Sequence, residues 1–127
     1  MTLENILILT FLLILVQITI PVLIDLAITN KIKLSYLFSS RDKVEEKSLF
    51  FERSDRALKN LFQTLPIFIG LVILSIVKDV DNSSLALWWL IFRTIYIPIY
   101  TFGINYLRTC VWAASLFCLI LMSIKFL

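Results

Sequence analysis

The chain has 127 residues, 60% of them apolar, and a mean hydropathy of +0.94. Soluble domains are about 45–50% apolar, so these values exclude an ordinary soluble domain, and they equally exclude a disordered chain. The absence of histidine excludes Ser-His-Asp and Cys-His catalysis and histidine metal sites. Two glycines are too few for a phosphate-binding glycine loop. The length fits one domain, residues 1–127.

The net charge is +3, and eight of the twelve basic residues lie between Lys31 and Lys59. This basic segment is short and lies between apolar runs, which argues against nucleic-acid binding. Cys110 and Cys118 would lie roughly 12 Å apart on one helix, at about 1.5 Å per residue. That separation is too large for a disulfide, so both cysteines are interpreted as small apolar side chains.

The first apolar run, Asn5 to Ile24, is uncharged and predicts a membrane-spanning helix. A helix of this length rises about 30 Å, the thickness of the hydrocarbon core of a bilayer. Glu4, which precedes the run, and the length of the run itself argue against a cleaved signal peptide. Pro21 is expected to kink the end of the helix. The polar stretch Leu26 to Lys47 predicts a loop with some helix.

The second predicted helix begins near Ser48, a favoured N-cap residue. Its first part, Glu52 to Lys59, is charged, and its second part, Leu61 to Val77, is apolar. A short polar turn follows, in which Asn82 or Ser83 is expected to cap the next helix.

Two further helices are predicted, Ser84 to Phe102 and Tyr106 to Ile124, with a break at Gly103. Trp88 and Trp89 fall where an aromatic belt at a membrane surface is expected. Four apolar runs with short connections predict an all-α integral membrane protein, an antiparallel bundle of four transmembrane helices. The runs lack the alternation of a β-barrel.

The distribution of basic residues predicts the orientation in the membrane. The first and third loops carry nine lysines and arginines, whereas the opposite side carries Lys78 and Lys125. The positive-inside rule therefore places the first loop in the cytoplasm and the N-terminus outside.

Arg93 is a functional candidate, because an ionisable residue inside a membrane span is costly to insert. The alternative is an internal salt bridge to Asp55 or Glu52 on the second helix. Tyr100 lies seven residues later on the same helix face. Tyr96 lies close to that face and is more typical of packing.

Polar residues form a stripe on the second helix, where Arg53, Arg56, Asn60 and Gln63 recur at helical spacing. A solvated helix start also explains the arginines, but the amides continue the stripe into the apolar half, where an unsatisfied amide is costly. Asn60 and Gln63 therefore bind either across helices or to a ligand. Arg108, near the start of the fourth helix, is either a topology determinant at the membrane face or a site residue, whose guanidinium near a helix N-terminus favours an anion. These cationic and amide side chains together suit a small anion with several carboxylates. The predicted site consists of Arg56, Asn60, Gln63, Arg93, Tyr100 and Arg108.

The stretch Glu52 to Pro66, ERSDRALKNLFQTLP, resembles the second-helix signature of the MAPEG superfamily, the membrane-associated proteins in eicosanoid and glutathione metabolism. The family pattern is E-R-A-x-R-A-x-x-N-x-x-E-x-x-P. The segment from Phe92 to Thr109 resembles the second conserved block of the family. Arg41 and Asp42 lie where many short members have an Arg-Asp pair. The resemblance covers essentially the whole chain.

The resemblance implies a homotrimer that binds glutathione as a cosubstrate between subunits on the cytoplasmic side. The implied activity is that of a glutathione transferase or peroxidase acting on lipophilic electrophiles. Arg108 resembles the arginine that stabilises the glutathione thiolate. The implied glutathione-binding residues are Arg56, Asn60, Gln63, Arg93, Tyr100 and Thr109.

Three departures from the family pattern keep an alternative open. Gln63 replaces a glutamate that is expected to bind the amino group of the ligand. The first span lacks an internal arginine, and Lys59 stands where an arginine is expected. The alternative is a non-catalytic four-helix membrane protein that retains the fold and binds an unknown ligand. A multidrug-type transporter is less consistent, because Asp25 and Asp55 lie only at the edges of spans.

Overall fold

A computed structural model describes residues 1–28, 34–40 and 48–127, and every regular element in these ranges is helical. The predicted Arg41-Asp42 pair and several basic residues of the first loop lie outside the described residues. The elements are α1 (Leu3–Leu23), a π-helical turn (Ile24–Ile28), the short α2 (Leu34–Leu37), α3 (Leu49–Lys78), α4 (Ser83–Thr101) and α5 (Asn105–Ile124).

The four long helices confirm the predicted helical architecture. In the described part of the chain, three segments are long and apolar enough to cross a membrane: Leu3–Ile28, Leu49–Lys78 and Asn105–Ile124. The 19 residues of α4 would extend about 28 Å, but Arg93 and two tyrosines make this helix more polar. Four spans were predicted, and length and composition support three of them.

The first helix buries two polar side chains among apolar ones and exposes an apolar outer face. Its buried residues include Thr10 and Gln17, whereas Leu12, Leu15 and Val16 are exposed. The Thr10 hydroxyl donates to the carbonyl of Ile6 at 2.9 Å, which satisfies it within the helix. An apolar outer surface of this kind suits contact with lipid, where no water is available to solvate polar groups. Pro21 lies inside α1, and the winding changes from α to π at Ile24.

The core is formed where α3 packs between the other helices. Leu61, Leu65, Phe68 and Val72 recur every three or four residues along α3 and are buried. They meet the buried side chains of Ile6, Ala86, Trp89, Leu90, Cys118, Leu119 and Met122.

Trp89 lies in this core rather than in an aromatic belt. Its ring stacks on Phe68 with centroids 3.8 Å apart, and the residue is fully buried. The predicted belt position is therefore wrong for Trp89, because the face on which it lies points into the bundle. Trp88, one residue earlier, is exposed as expected of a belt residue.

Ser48 starts α3 as predicted and also ties it to the first span. Its hydroxyl accepts a hydrogen bond from the Phe51 amide at 3.1 Å, which is an N-cap bond. The carboxylate of Asp25, in the π-helical turn, accepts from the Ser48 amide at 2.9 Å and from the Ser48 hydroxyl. Asp25 is fully buried. This pair fixes the start of α3 against the end of α1.

The start of α4 differs from the expected capping. Asn82 occupies the N-cap position, but its side chain is buried and Nδ2 donates to Ser75 Oγ at 2.9 Å. Asp81 instead accepts from the Ser83 amide at 3.0 Å and from its hydroxyl. These bonds, with a smaller contribution from Lys125, lower the pKa of Asp81. The packing of Asn82 between α3 and α5 explains why it does not cap.

Gly103 forms the turn between α4 and α5 with a φ of +76°. A Cβ added there would lie 2.7 Å from Arg53 Nη1 and 2.8 Å from its Cζ. The guanidinium of Arg53 therefore lies against this turn. The backbone conformation requires glycine, whereas the close approach would only displace the end of the flexible Arg53 side chain.

We expect Gly103→Ala to destabilise the protein by about 1 kcal/mol or more, because an L-residue at positive φ is strained. Thermal unfolding in detergent, followed by circular dichroism, measures the loss. In an Arg53→Ala background the steric part disappears and the backbone strain remains, so Gly103→Ala should still destabilise. Unchanged stability of Gly103→Ala in both backgrounds would contradict this account of the turn.

Candidate functional site

A pocket of about 480 Å³ opens between α3, α4 and α5. The stripe on α3 contributes Arg56, Asn60 and Gln63, because residues three and four apart share one helix face. From the other two helices come Tyr96, Tyr100, Arg108, Thr109 and Trp112, and Lys59 completes the lining. Of the seven site residues predicted from sequence, this pocket brings together six, Arg56, Asn60, Gln63, Tyr100, Arg108 and Thr109.

Arg93, the seventh, lies behind the pocket. It is 2% exposed, and its guanidinium donates from Nη1 to Asn60 Oδ1 at 2.7 Å and from Nη2 to Thr64 Oγ1 at 2.6 Å. The rings of Trp89 and Tyr96 lie 5.6 and 5.8 Å from its Cζ. Arg93 is therefore enclosed by α3 and by its own helix.

The alternative prediction for Arg93, a salt bridge to Asp55 or Glu52, is wrong. Among the described residues, neither carboxylate pairs with Arg93. Asp55 instead pairs with Lys59 at 2.7 Å, one turn along the same helix. Arg93 lies deeper, beside Asn60 and Thr64, and so it meets neutral oxygens.

Arg108 stands on the other side of the pocket, in the first turn of α5. Its guanidinium lies over the ring of Tyr100 at 5.0 Å from the centroid. Tyr100 in turn meets Tyr96 edge to face, with centroids 5.5 Å apart. A planar guanidinium stacked on an aromatic ring keeps its N–H donors free at the edge. The tyrosines therefore hold Arg108 at the rim of the pocket.

The pocket has a positive electrostatic character. Arg56, Lys59 and Arg108 line it, and among the lining residues that the structure describes none is acidic. Asp55 offsets only the charge of Lys59. Arginine side chains bind carboxylates with paired hydrogen bonds. The pocket therefore suits an anion, and no lining residue is an obvious general base.

Two lining residues were absent from the predicted set and a third was assigned to packing. Trp112 follows Arg108 by four residues, so the helical spacing already placed it on the same face. Lys59 enters the sequence predictions only as a departure from the family pattern. Tyr96 was interpreted as packing, and it indeed is 4% exposed, yet its ring forms part of the pocket wall.

A sequence model of the MAPEG family matches residues 5–127. The chain belongs to the MAPEG family. No curated protein and no solved structure matches the chain. MAPEG proteins are generally glutathione-related membrane proteins, and the helical architecture of this chain fits the family.

We expect the fluorescence of this MAPEG protein to report occupancy of the pocket through Trp112, the one lining tryptophan among the described residues. An anion that enters the pocket should change the emission of the wild type and of Trp88→Phe, whose ring lies on the outer surface. The same anion should leave the emission of Trp112→Phe unchanged. A change that persists in Trp112→Phe would place the ligand elsewhere.

Proposed function

We propose that this protein is a glutathione-dependent membrane enzyme of the transferase or peroxidase type that acts on lipophilic electrophiles. The observation that carries the proposal is the pocket in which two arginines, a lysine and two amides converge in a chain of the MAPEG family. The two carboxylates of glutathione, and its thiol when ionised, are negative and so complement the cationic side chains of the pocket. A volume of about 480 Å³ lies within the usual range for small-molecule sites.

Arg108 is the proposed catalytic residue. A guanidinium beside a thiol stabilises the thiolate and increases the population of the nucleophile. In a transferase reaction the thiolate sulfur attacks an electrophilic carbon, a C–S bond forms, and the leaving group departs with the bonding electron pair. The thiol proton is released to solvent, since the lining offers no obvious base. Catalysis would then come from positioning and electrostatic stabilisation.

The binding roles are assigned to the remaining pocket residues. Arg56 and Asn60 would bind the carboxylates and peptide groups of glutathione, and Gln63 would lie beside its ammonium group. Tyr100 and Thr109 would flank Arg108. We extend the proposal to a homotrimer, as the family resemblance implies, in which a neighbouring subunit closes the open side of the pocket. The orientation with the first loop in the cytoplasm belongs to the same proposal.

Gln63 favours a second candidate function. A neutral amide binds the ammonium of glutathione less strongly than a carboxylate would. The alternative is therefore a non-catalytic MAPEG protein that retains the pocket for another anion. It predicts no thiol-dependent turnover with any electrophile, and it predicts that Gln63→Ala mainly lowers stability.

We expect Arg108→Ala to lower kcat/KM for glutathione conjugation by about 100-fold, as loss of one electrostatic stabiliser does, without a large change in melting temperature. Arg108→Lys keeps a charge but loses the planar contact with Tyr100, so its activity should be intermediate. Lys78→Ala, at the opposite end of α3, is the matched control. Calorimetry on the detergent-solubilised chain should show saturable glutathione binding that Arg108→Ala weakens.

Two outcomes would contradict the proposal. Equal activity of Arg108→Ala and wild type would remove the thiolate role of Arg108. A folded wild type that neither binds glutathione nor turns over electrophiles would favour the non-catalytic function.

A further inference from the structure

We propose that Arg93 is a positioning residue that sets the polarity of the pocket through Asn60. It holds the Asn60 carbonyl oxygen, so that the amide nitrogen, Nδ2, is the polar atom that Asn60 offers to a ligand. Asn60 then recognises a hydrogen-bond acceptor, a carboxylate or a peptide carbonyl, and rejects an ammonium group. This inference rests on the proposed function only for the choice of glutathione as the ligand.

The orientation of the Asn60 amide follows from the chemistry of its partner. A guanidinium carries N–H donors and no acceptor, so the atom that faces it at 2.7 Å has to be the oxygen. Such a charge-assisted bond is stronger than a bond between neutral groups. A flip of the amide would bring two donors together in a buried site. Asn60 is therefore held in one orientation.

Arg93 itself is held in place from three sides. Thr64 Oγ1 accepts from its second nitrogen, and the Thr64 hydroxyl is directed to the carbonyl of Leu61 at 3.3 Å. The rings of Trp89 and Tyr96 enclose the guanidinium. With 2% of its surface exposed, Arg93 is a poor candidate for direct contact with a ligand. Asn60 is half-buried and lines the pocket.

The consequence concerns which end of a ligand lies beside Asn60. An unconstrained asparagine can accept from an ammonium or donate to a carboxylate. With its oxygen turned to the buried guanidinium of Arg93, Asn60 presents the N–H donors of Nδ2 to the pocket, beside the donors of Arg56 and Lys59. This side of the pocket is therefore specific for acceptors. The ammonium of a zwitterionic ligand would have to lie toward Gln63 or toward solvent.

The first test measures the buried bond without any ligand. The melting temperatures of Asn60→Ala, Arg93→Met and the double variant are measured in detergent. Together with the wild type they form a double-mutant cycle, which gives the coupling between Asn60 and Arg93. The inference predicts that the two effects are not additive, because each single variant leaves a buried partner unsatisfied. Thr94→Val, one residue from Arg93 on the same helix, is the control and should be additive with Asn60→Ala. Additive effects for Asn60→Ala and Arg93→Met would overturn the inference.

The second test measures the effect on binding by calorimetry. Arg93→Met should weaken glutathione binding about tenfold in the wild-type background and less than about twofold in Asn60→Ala, because Arg93 acts only through Asn60. An equal loss in both backgrounds would mean direct contact with the ligand and would overturn the positioning role.

Asn60→Asp keeps a partner for Arg93, but it offers no donor to the pocket and adds a negative charge beside the anion. Its melting temperature should be at or above that of the wild type, and its affinity for glutathione should fall at least about tenfold. Retained affinity would overturn the inference.

The binding tests are repeated with citrate, an anion without an amine, in order to separate this inference from the proposed function. Citrate binding without glutathione binding would contradict the proposed function, and the same variants would still test Asn60 with citrate. A folded wild type that binds neither anion would overturn the inference as well.

Discussion

The buried guanidinium of Arg93 constrains the arrangement of the helices around the pocket. A charge taken into an apolar bundle is costly unless hydrogen bonds satisfy it. Here Asn60 and Thr64, which lie one turn apart on α3, accept from Nη1 and Nη2, while Nε has no hydrogen-bond partner among the described residues. Both bonds form only when α3 and α4 pack in one register and with one face together. In that register the next polar residues of the α3 stripe, Arg56 and Gln63, face Tyr100 across the pocket. The position of the pocket thus follows from the position at which Asn60 and Thr64 bind the Arg93 guanidinium.

Two further contacts fix the helices that surround this register. The Asp25 carboxylate and the Ser48 amide join the end of the first span to the start of α3. Gly103, against Arg53, fixes the turn that sets α5 beside α4. The second half of α3 contributes mainly packing, with Phe68 stacked on Trp89, and one polar contact, from Asn82 to Ser75. The first half of α3 therefore provides most of the polar contacts of the pocket, and its second half contributes mainly to the apolar core.

Local signals in the sequence account for most of the fold. Ser48 as an N-cap, the break at Gly103 and the lengths of the apolar runs predict the ends of the long helices to within one or two residues. Features that depend on which face of a helix points inward could not be predicted in this way. Trp89 and Asn82 carry the local signatures of a belt residue and a cap, yet packing buries both. The hydrogen-bond partners of Arg93 could not be predicted either. Charge favours Glu52 and Asp55 as partners, whereas depth in the membrane favours Asn60 and Thr64.

Helical spacing predicts most of the residues that line the pocket. It also places Trp112 on the pocket face, although the predicted site does not include this residue. The orientation stays a prediction from the basic residues of the loops. The number of subunits depends on further copies of the chain, which no local pattern encodes.

The depth of the pocket on α3 bears on the chemistry proposed for it. Charged side chains end at Lys59 and the apolar run begins at Leu61, so Asn60 stands at the change from polar to apolar sequence. A water-soluble thiol can approach such a site from the polar side, and a lipid-soluble electrophile can approach it along the apolar surface. The attraction between a guanidinium and a thiolate also strengthens as the surroundings become less polar. A site deeper in the bundle would lose access for the thiol, and a site further out would lose both the lipophilic substrate and the electrostatic gain. Under the proposed function, a site beside Asn60 would combine access for the thiol, access for the lipophilic substrate and a stronger attraction between guanidinium and thiolate, so that thiolate chemistry there would need no general base.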